Sequence, residues 1–162
     1  MKKVLTICSW VLLYVSSFVI TGFDARAIEM LSISAEEARE DEQPGVLHFK
    51  GNFRMQSADW QLTSTSATVF GSPNRPDRVY LEGSPSRFLV VRHDQTDQGP
   101  IEAVATVVEY RRVANNLILS GGATLKLGDE LIRSENIEYD IGSNRYRAGG
   151  ADGVVIEVTP EN

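Results

Sequence analysis

Cysteine is nearly absent from this sequence: Cys8 is the single thiol in 162 residues. One thiol excludes an internal disulfide and a cysteine-based zinc ribbon. Beyond the first 23 residues there is no long apolar run, which excludes a multi-span membrane protein. Thirteen glycines without a three-residue period exclude collagen. Basic charge is also short. The chain has 16 Lys and Arg against 22 Asp and Glu, a net charge of −6. Neutralising duplex DNA needs the opposite balance, so no nucleic-acid partner is expected. Catalytic signatures are missing too: there is no G-x-S-x-G, no P-loop and no CxxC. The chain therefore reads as a non-enzyme with no cofactor and no metal site.

What is present begins with an address. Lys2 and Lys3 precede an apolar run from Val4 to Ile20, and Ala25-Arg26-Ala27 follows. A basic start, an apolar middle and a small-x-small end form the layout of a secretory signal peptide, expected over residues 1–27. Cleavage after Ala27 would remove Lys2, Lys3, Arg26 and Asp24 and take the net charge from −6 to −8. The competing reading keeps the run as a membrane anchor, although Thr6, Ser9, Ser16 and Ser17 dilute it. Residues 28–162 are expected to form one domain, held by ordinary burial and backbone pairing.

The remainder alternates. Leu47, Phe49, Phe53 and Met55 share one parity, with His48, Lys50, Asn52 and Arg54 on the other. Leu117, Leu119, Ala123, Leu125 and Leu127 do the same later. Period-two alternation places one set on one face of a strand. From Val79 and Leu81 the parity slips after Pro85 to Phe88 and Val90, which suggests a bulge or an edge position. A second slip falls between Ala103-Ala105 and Val108-Tyr110. Turn signals recur at Asn74-Arg75-Pro76-Asp77, Asn115-Asn116, Gly128-Asp129 and Gly142-Ser143-Asn144. Ser34 and Glu37 have the spacing of a helix capping box, but no apolar stripe follows, so a solvated turn is expected there. The fold class is all-β.

The pattern also repeats. A shift of 70 places Gly51 on Gly121, Met55 on Leu125, Leu62 on Ile132 and Ser64 on Ser134. A shift of 29 places Val108-Glu109-Tyr110 on Ile137-Glu138-Tyr139, and Asn115 on Asn144. A shift of 38 places Val79, Leu81 and Gly83 on Leu117, Leu119 and Gly121. Unequal offsets describe strand-turn-strand rungs joined by loops of different length. A rung with one apolar face needs a facing layer. If the layers meet tightly they make an ordinary core; if they splay, they line a trough. Periodicity does not separate the two, and most apolar stripes are plain core.

Several segments together resemble the LptA/OstA family of periplasmic lipopolysaccharide transport proteins. They are Ile33-Ser34-Ala35-Glu36, Gly51-Asn52-Phe53-Arg54-Met55, Tyr80 to Phe88 with its G-x-P-x-x-F spacing, Ala103 to Tyr110, and Asn116 to Leu125. The likeness covers about residues 30–150. Ser86 stands where the family usually has Ala, and Gln56-Ser57 replaces its common Gln-Gly. The resemblance implies a twisted, partly open antiparallel β-jelly roll of stacked strand-turn-strand rungs, located in the periplasm. It implies a groove that shelters lipopolysaccharide acyl chains, lined by Phe49, Phe53, Met55, Leu81, Phe88, Leu117, Leu119, Leu125, Ile132, Ile137 and Tyr139. The implied partners are lipopolysaccharide, same-fold domains of inner- and outer-membrane transport components, and further copies stacked head to tail. The candidate end strands are Ile28 to Ser34 and Val154 to Val158. The alternatives are a membrane-anchored relative at the inner-membrane transporter, or a closed-core carbohydrate-binding or structural β protein.

Other chemistries carry less. His48 falls on the polar parity of a strand and His93 among loop-like residues. Glu109 and Glu138 repeat at equivalent positions, as solvent-face residues of equivalent rungs do; a glycosidase pair is the sharper reading. Gly149-Gly150-Ala151-Asp152-Gly153 has the composition of a flexible turn more than of a calcium loop. Arg78, Arg87, Arg92, Arg111, Arg112, Arg145 and Arg147 are candidates for local basic patches, although the net charge suggests head groups stay in solvent.

Overall fold

A computed structural model describes residues 31–90 and 99–159. The expected signal peptide, Arg92 and His93 lie outside the described residues. Among the described residues nine strands follow one another: β1 (Ser32–Ser34), β2 (Glu37–Glu40), β3 (Val46–Gln56), β4 (Trp60–Ser72), β5 (Arg75–Val90), β6 (Ile101–Arg111), β7 (Asn116–Leu127), β8 (Glu130–Asp140) and β9 (Arg145–Val158). Among the described residues there is no helix, and none that could cross a membrane. Every pairing is antiparallel. From β3 to β9 each strand pairs with the next, and β1 and β2 both pair with β3. The sheet does not close, because β9 does not pair with β1 or β2.

Each long strand is broken in the middle. Register shifts fall between Lys50 and Phe53, Thr63 and Ser66, Glu82 and Ser86, Val104 and Val107, Ser120 and Ala123, and Ser134 and Asn136. These breaks line up across the sheet and fold it on itself. One half-sheet holds β1 with Phe53–Gln56, Trp60–Thr63, Ser86–Val90, Ile101–Val104, Ala123–Leu127, Glu130–Ser134 and Val154–Val158. The other holds β2 with Val46–Lys50, Ser66–Ser72, Arg75–Glu82, Val107–Arg111, Asn116–Ser120, Asn136–Asp140 and Arg145–Gly149. The opposed halves give the all-β class expected from the alternation and the open antiparallel jelly roll that the family resemblance implies.

The breaks explain the parity slips. In β3 the extra residue is accommodated by Gly51 and Asn52, both at positive φ (76° and 46°), and in β7 by Gly121 and Gly122 (80° and 67°). Two left-handed residues in succession restore the parity, so Phe49 and Phe53, or Leu119 and Ala123, all point inward. Strands β4, β5, β6 and β8 lack that pair and switch parity across the break. Inward residues change from Leu62 to Ala67, from Leu81 to Ser86, from Ala105 to Val108 and from Ile132 to Ile137.

Pro85 sits in the bulge of β5, after a cis Ser84–Pro85 bond. The bulge reading therefore holds, and the edge reading does not, since β5 lies between β4 and β6. A second correction concerns residues 37–40. Instead of a solvated turn they form strand β2, whose four residues are all exposed yet pair with β3. Backbone pairing to an existing edge suffices there without an apolar stripe.

Candidate functional site

The expected lining residues meet in one place. Phe53, Met55, Leu81, Phe88, Leu117, Leu119, Leu125, Ile132, Ile137 and Tyr139 are all buried and belong to a single cluster between the half-sheets. Phe49 is half-buried against that cluster, with its ring centroid 5.2 Å from that of Phe53. Leu62, Ala67, Val69, Val79, Ile101, Ala103, Ala105, Val108 and Ala123 are the other buried members of that cluster. These were missed as lining residues, although the parities of β5 and β6 already carried Val79, Ala103, Ala105 and Val108. The two walls touch in this structure, so space for a ligand between them requires the half-sheets to part.

Opposite the fold line, the free strand ends form a mouth with one lip from each half-sheet. Among the described residues two contacts span it, and a pocket parts the lips at one end. The rings of Phe88 and Tyr110 stack at 5.7 Å. Tyr146 Oη donates a 2.6 Å hydrogen bond to Glu130 Oε1. At the β1 end, Leu31 and Trp60 face Pro76, Tyr110 and Arg112 across a pocket of about 320 Å³. Burial pushes the Tyr110 hydroxyl pKa up, with the Arg112 guanidinium opposing it. The Tyr146 hydroxyl is raised first by its hydrogen bond to Glu130.

The interior is covered along its length but not at the β9 end. Ile156 lies in register with Ile132, a fully buried residue, and so continues the inward face. Yet Ile156 is 51% exposed and Val158 67%. Val154 on the same parity is exposed as well, and the outer edge of this strand has no partner among the described residues. At the opposite end Ile33 lies in register with Met55 and is half-buried, as is Leu31. Val154–Val158 and Ser32–Ser34 are thus end strands of the same half-sheet; of the expected end strand Ile28 to Ser34, residues 28–30 lie outside the described residues.

The outer face is largely self-neutralised. Arg78 pairs with Glu109 at 3.7 Å and covers the Phe70 ring at 3.7 Å. Arg111 pairs with Glu109 at 2.9 Å, Arg87 with Glu102 at 3.2 Å, and Arg112 with Asp77 at 2.6 Å. Arg147 reaches Glu138 at 3.8 Å. Arg78, Arg87, Arg111, Arg112 and Arg147 therefore make ion pairs rather than one basic patch. Glu109 and Glu138 are explained as ion-pair partners on the solvent face, two strands apart through Ile118. His48 Nε2 donates to Asp41 Oδ2 at 2.6 Å, and its Nδ1 lies 3.2 Å from the Thr68 hydroxyl. In the glycine-rich stretch of β9, the Ala151 amide donates to Glu135 Oε2.

A family model described as the LptA/(LptD N-terminal domain) LPS transport protein matches residues 32–145. The chain belongs to that family. The match runs from β1 to the first residue of β9, so the exposed Val154–Val158 segment lies beyond it. A similar solved structure is LptH from Pseudomonas aeruginosa, described as the LptA-homologous periplasmic component of the lipopolysaccharide transport device. The two share 18% identity over 82% of this chain and 96% of that one, with a TM-score of 0.70. No curated protein matches significantly. Family membership and the shared fold agree with the open sheet described above, and the family is one of transport proteins.

Proposed function

We propose that this chain is a periplasmic bridge component that carries lipopolysaccharide, its acyl chains lodged between the two half-sheets. The observation that carries this reading is the interior itself. It is a continuous apolar seam running from Ile33 to Ile156, in a sheet that stays open and leaves the last strand uncovered. Burying one methylene stabilises by about 0.8 kcal/mol, so a dozen in one acyl chain total roughly 10 kcal/mol. A carrier must keep that burial constant while the lipid moves. A seam that runs the length of the fold does so, whereas a pocket closed at both ends traps its ligand.

The uncovered β9 edge supports the second half of the reading. Backbone groups of an unpaired edge recruit another strand. Addition of Val154–Val158 to the Ser32–Ser34 edge of another copy, or of a same-fold domain, aligns the two interiors. Such a contact is head to tail and does not close on itself, so it extends from one membrane toward the other. Secretion by a cleaved leader over residues 1–27 places the chain in the periplasm in this account. The test is purification of the chain from cells carrying a photo-crosslinker at Val158. Adducts with a second copy or a same-fold partner support bridging, and a chain that forms none is not a bridge.

A further inference from the structure

The pocket at the β1 end of the mouth is chemically unlike the rest of the interior. Its apolar wall is Trp60 and Leu31 on one lip, and Pro76 and Tyr110 on the other. Its rim carries two guanidinium groups, Arg75 and Arg112. Arg112 is committed: Nε donates to the Pro76 carbonyl at 2.9 Å and one terminal nitrogen to Asp77 Oδ1 at 2.6 Å. Arg75 is exposed at the start of β5, and none of the ion pairs among the described residues involves it. In a chain of net charge −6, a free guanidinium beside a half-buried tryptophan is a local exception.

We infer that this pocket holds the junction of an amphiphilic lipid. Its anionic phosphate would lie against Arg75, and the first methylenes of an acyl chain against Trp60, Leu31 and Tyr110. Guanidinium suits phosphate because its planar fork offers parallel donors and stays charged. The apolar wall is continuous with the interior, since Tyr110 also stacks on Phe88, and Phe88 is part of the core. A lipid seated here has its head in solvent at the lip and its tail aimed between the half-sheets. This inference rests on the carrier reading and adds to it a site of head-group recognition, where charge and not burial alone selects the cargo.

The test uses the full chain carrying Trp10→Phe, so that Trp60 is its only tryptophan. Its emission is followed while lipopolysaccharide, enzymatically dephosphorylated lipopolysaccharide or inorganic phosphate is added. Lipopolysaccharide should shift the emission to the blue, and inorganic phosphate should not. Arg75→Gln should weaken lipopolysaccharide binding about tenfold, the size of one charge-assisted hydrogen bond. The same change should leave the dephosphorylated lipid unaffected, and Arg54→Gln on the outer face should have little effect on either. Equal losses from Arg75→Gln and Arg54→Gln, or an equal response to inorganic phosphate alone, would overturn the inference. A photo-crosslinker at Phe53 separates the two readings. Capture of lipopolysaccharide there with a silent Trp60 removes the pocket and leaves the carrier. Silence at both removes both.

Discussion

Tyr146 and Glu130 stand on opposite half-sheets and are joined across the mouth by a 2.6 Å hydrogen bond. Tyr146 lies next to Tyr139 in the register of β8 and β9, while Glu130 begins β8 on the other lip. The bond therefore ties the two walls where the interior approaches its uncovered end. Removing it by Tyr146→Phe should cost about 1 kcal/mol of stability, the usual net worth of one hydrogen bond. Hydrogen exchange should rise along Glu130–Ser134 and Arg145–Gly149 before it rises elsewhere. Unchanged exchange at both segments would mean the bond does not hold the lips.

The fold line makes a sharper prediction. Gly121 has φ of +80°, and a Cβ there would come within 2.9 Å of the Thr106 side chain. Its neighbour Gly122 has φ of +67° but nothing within 4 Å. Both alanine variants carry the left-handed strain, and only Gly121→Ala adds a clash. Strain of this kind costs about 1 kcal/mol or somewhat more per site. Gly121→Ala should therefore lose clearly more stability than Gly122→Ala in urea unfolding. Equal losses would show that the bend tolerates crowding at Thr106.

Much of this geometry was legible in the sequence, for a physical reason. The shift of 70 superposes Gly51-Asn52 on Gly121-Gly122, and these are the two positive-φ pairs at the fold line. The shift of 29 superposes Asn115 on Asn144, both left-handed turn residues (φ 50° and 54°). Repeats in the residues were repeats in backbone conformation. The parity slip at Pro85 marked a bulge for the same reason. What stayed hidden was how closely the walls approach. Leu119 and Leu125 alternate identically whether they face a lipid or each other's neighbours, so periodicity fixed the inward face and not the width of the gap. Strand β2 was hidden because Glu37–Glu40 bury nothing and pair only through backbone. Trp60 and Arg75 were hidden because the mouth is made by folding residues fifteen apart onto opposite lips.

The exposed end of β9 predicts association. Ile156→Lys places a charge on the face that would continue into a second copy, at a position already 51% exposed. Stability of the isolated chain should change little, since surface substitutions of this kind stay within about 0.5 kcal/mol. The mass distribution in light scattering at rising concentration should shift toward the monomer. Assembly equal to that of the unsubstituted chain would exclude this strand as the contact.

Stability should depend on pH at both ends of the range. The His48 side chain, and then the Gln43 amide, hold the Asp41 carboxyl below its ordinary 3.8. A depressed carboxylate pKa contributes stability that is complete above 3.8 and is lost as the pH falls through the folded value. Tyr110 is raised by burial and Tyr146 by its bond to Glu130, both above 10.0. Their contribution is complete below 10.0 and is lost as the pH climbs through the folded values. Melting temperatures across the range should therefore fall at both extremes. Asp41→Asn should flatten only the acid limb and Tyr146→Phe only the alkaline one. A variant that altered the opposite limb would refute the assignment.

For lipid to pass, the inward seam, buried against itself here, must open to take hydrocarbon. That opening is tested most directly by a photo-reactive phenylalanine analogue at Phe53, with a second chain carrying it at the adjacent outward position, Arg54. After irradiation of intact cells, the Phe53 chain should carry lipopolysaccharide and the Arg54 chain should not. Folded chains that capture nothing at Phe53, or capture equally at both positions, would show that the seam stays shut to lipid.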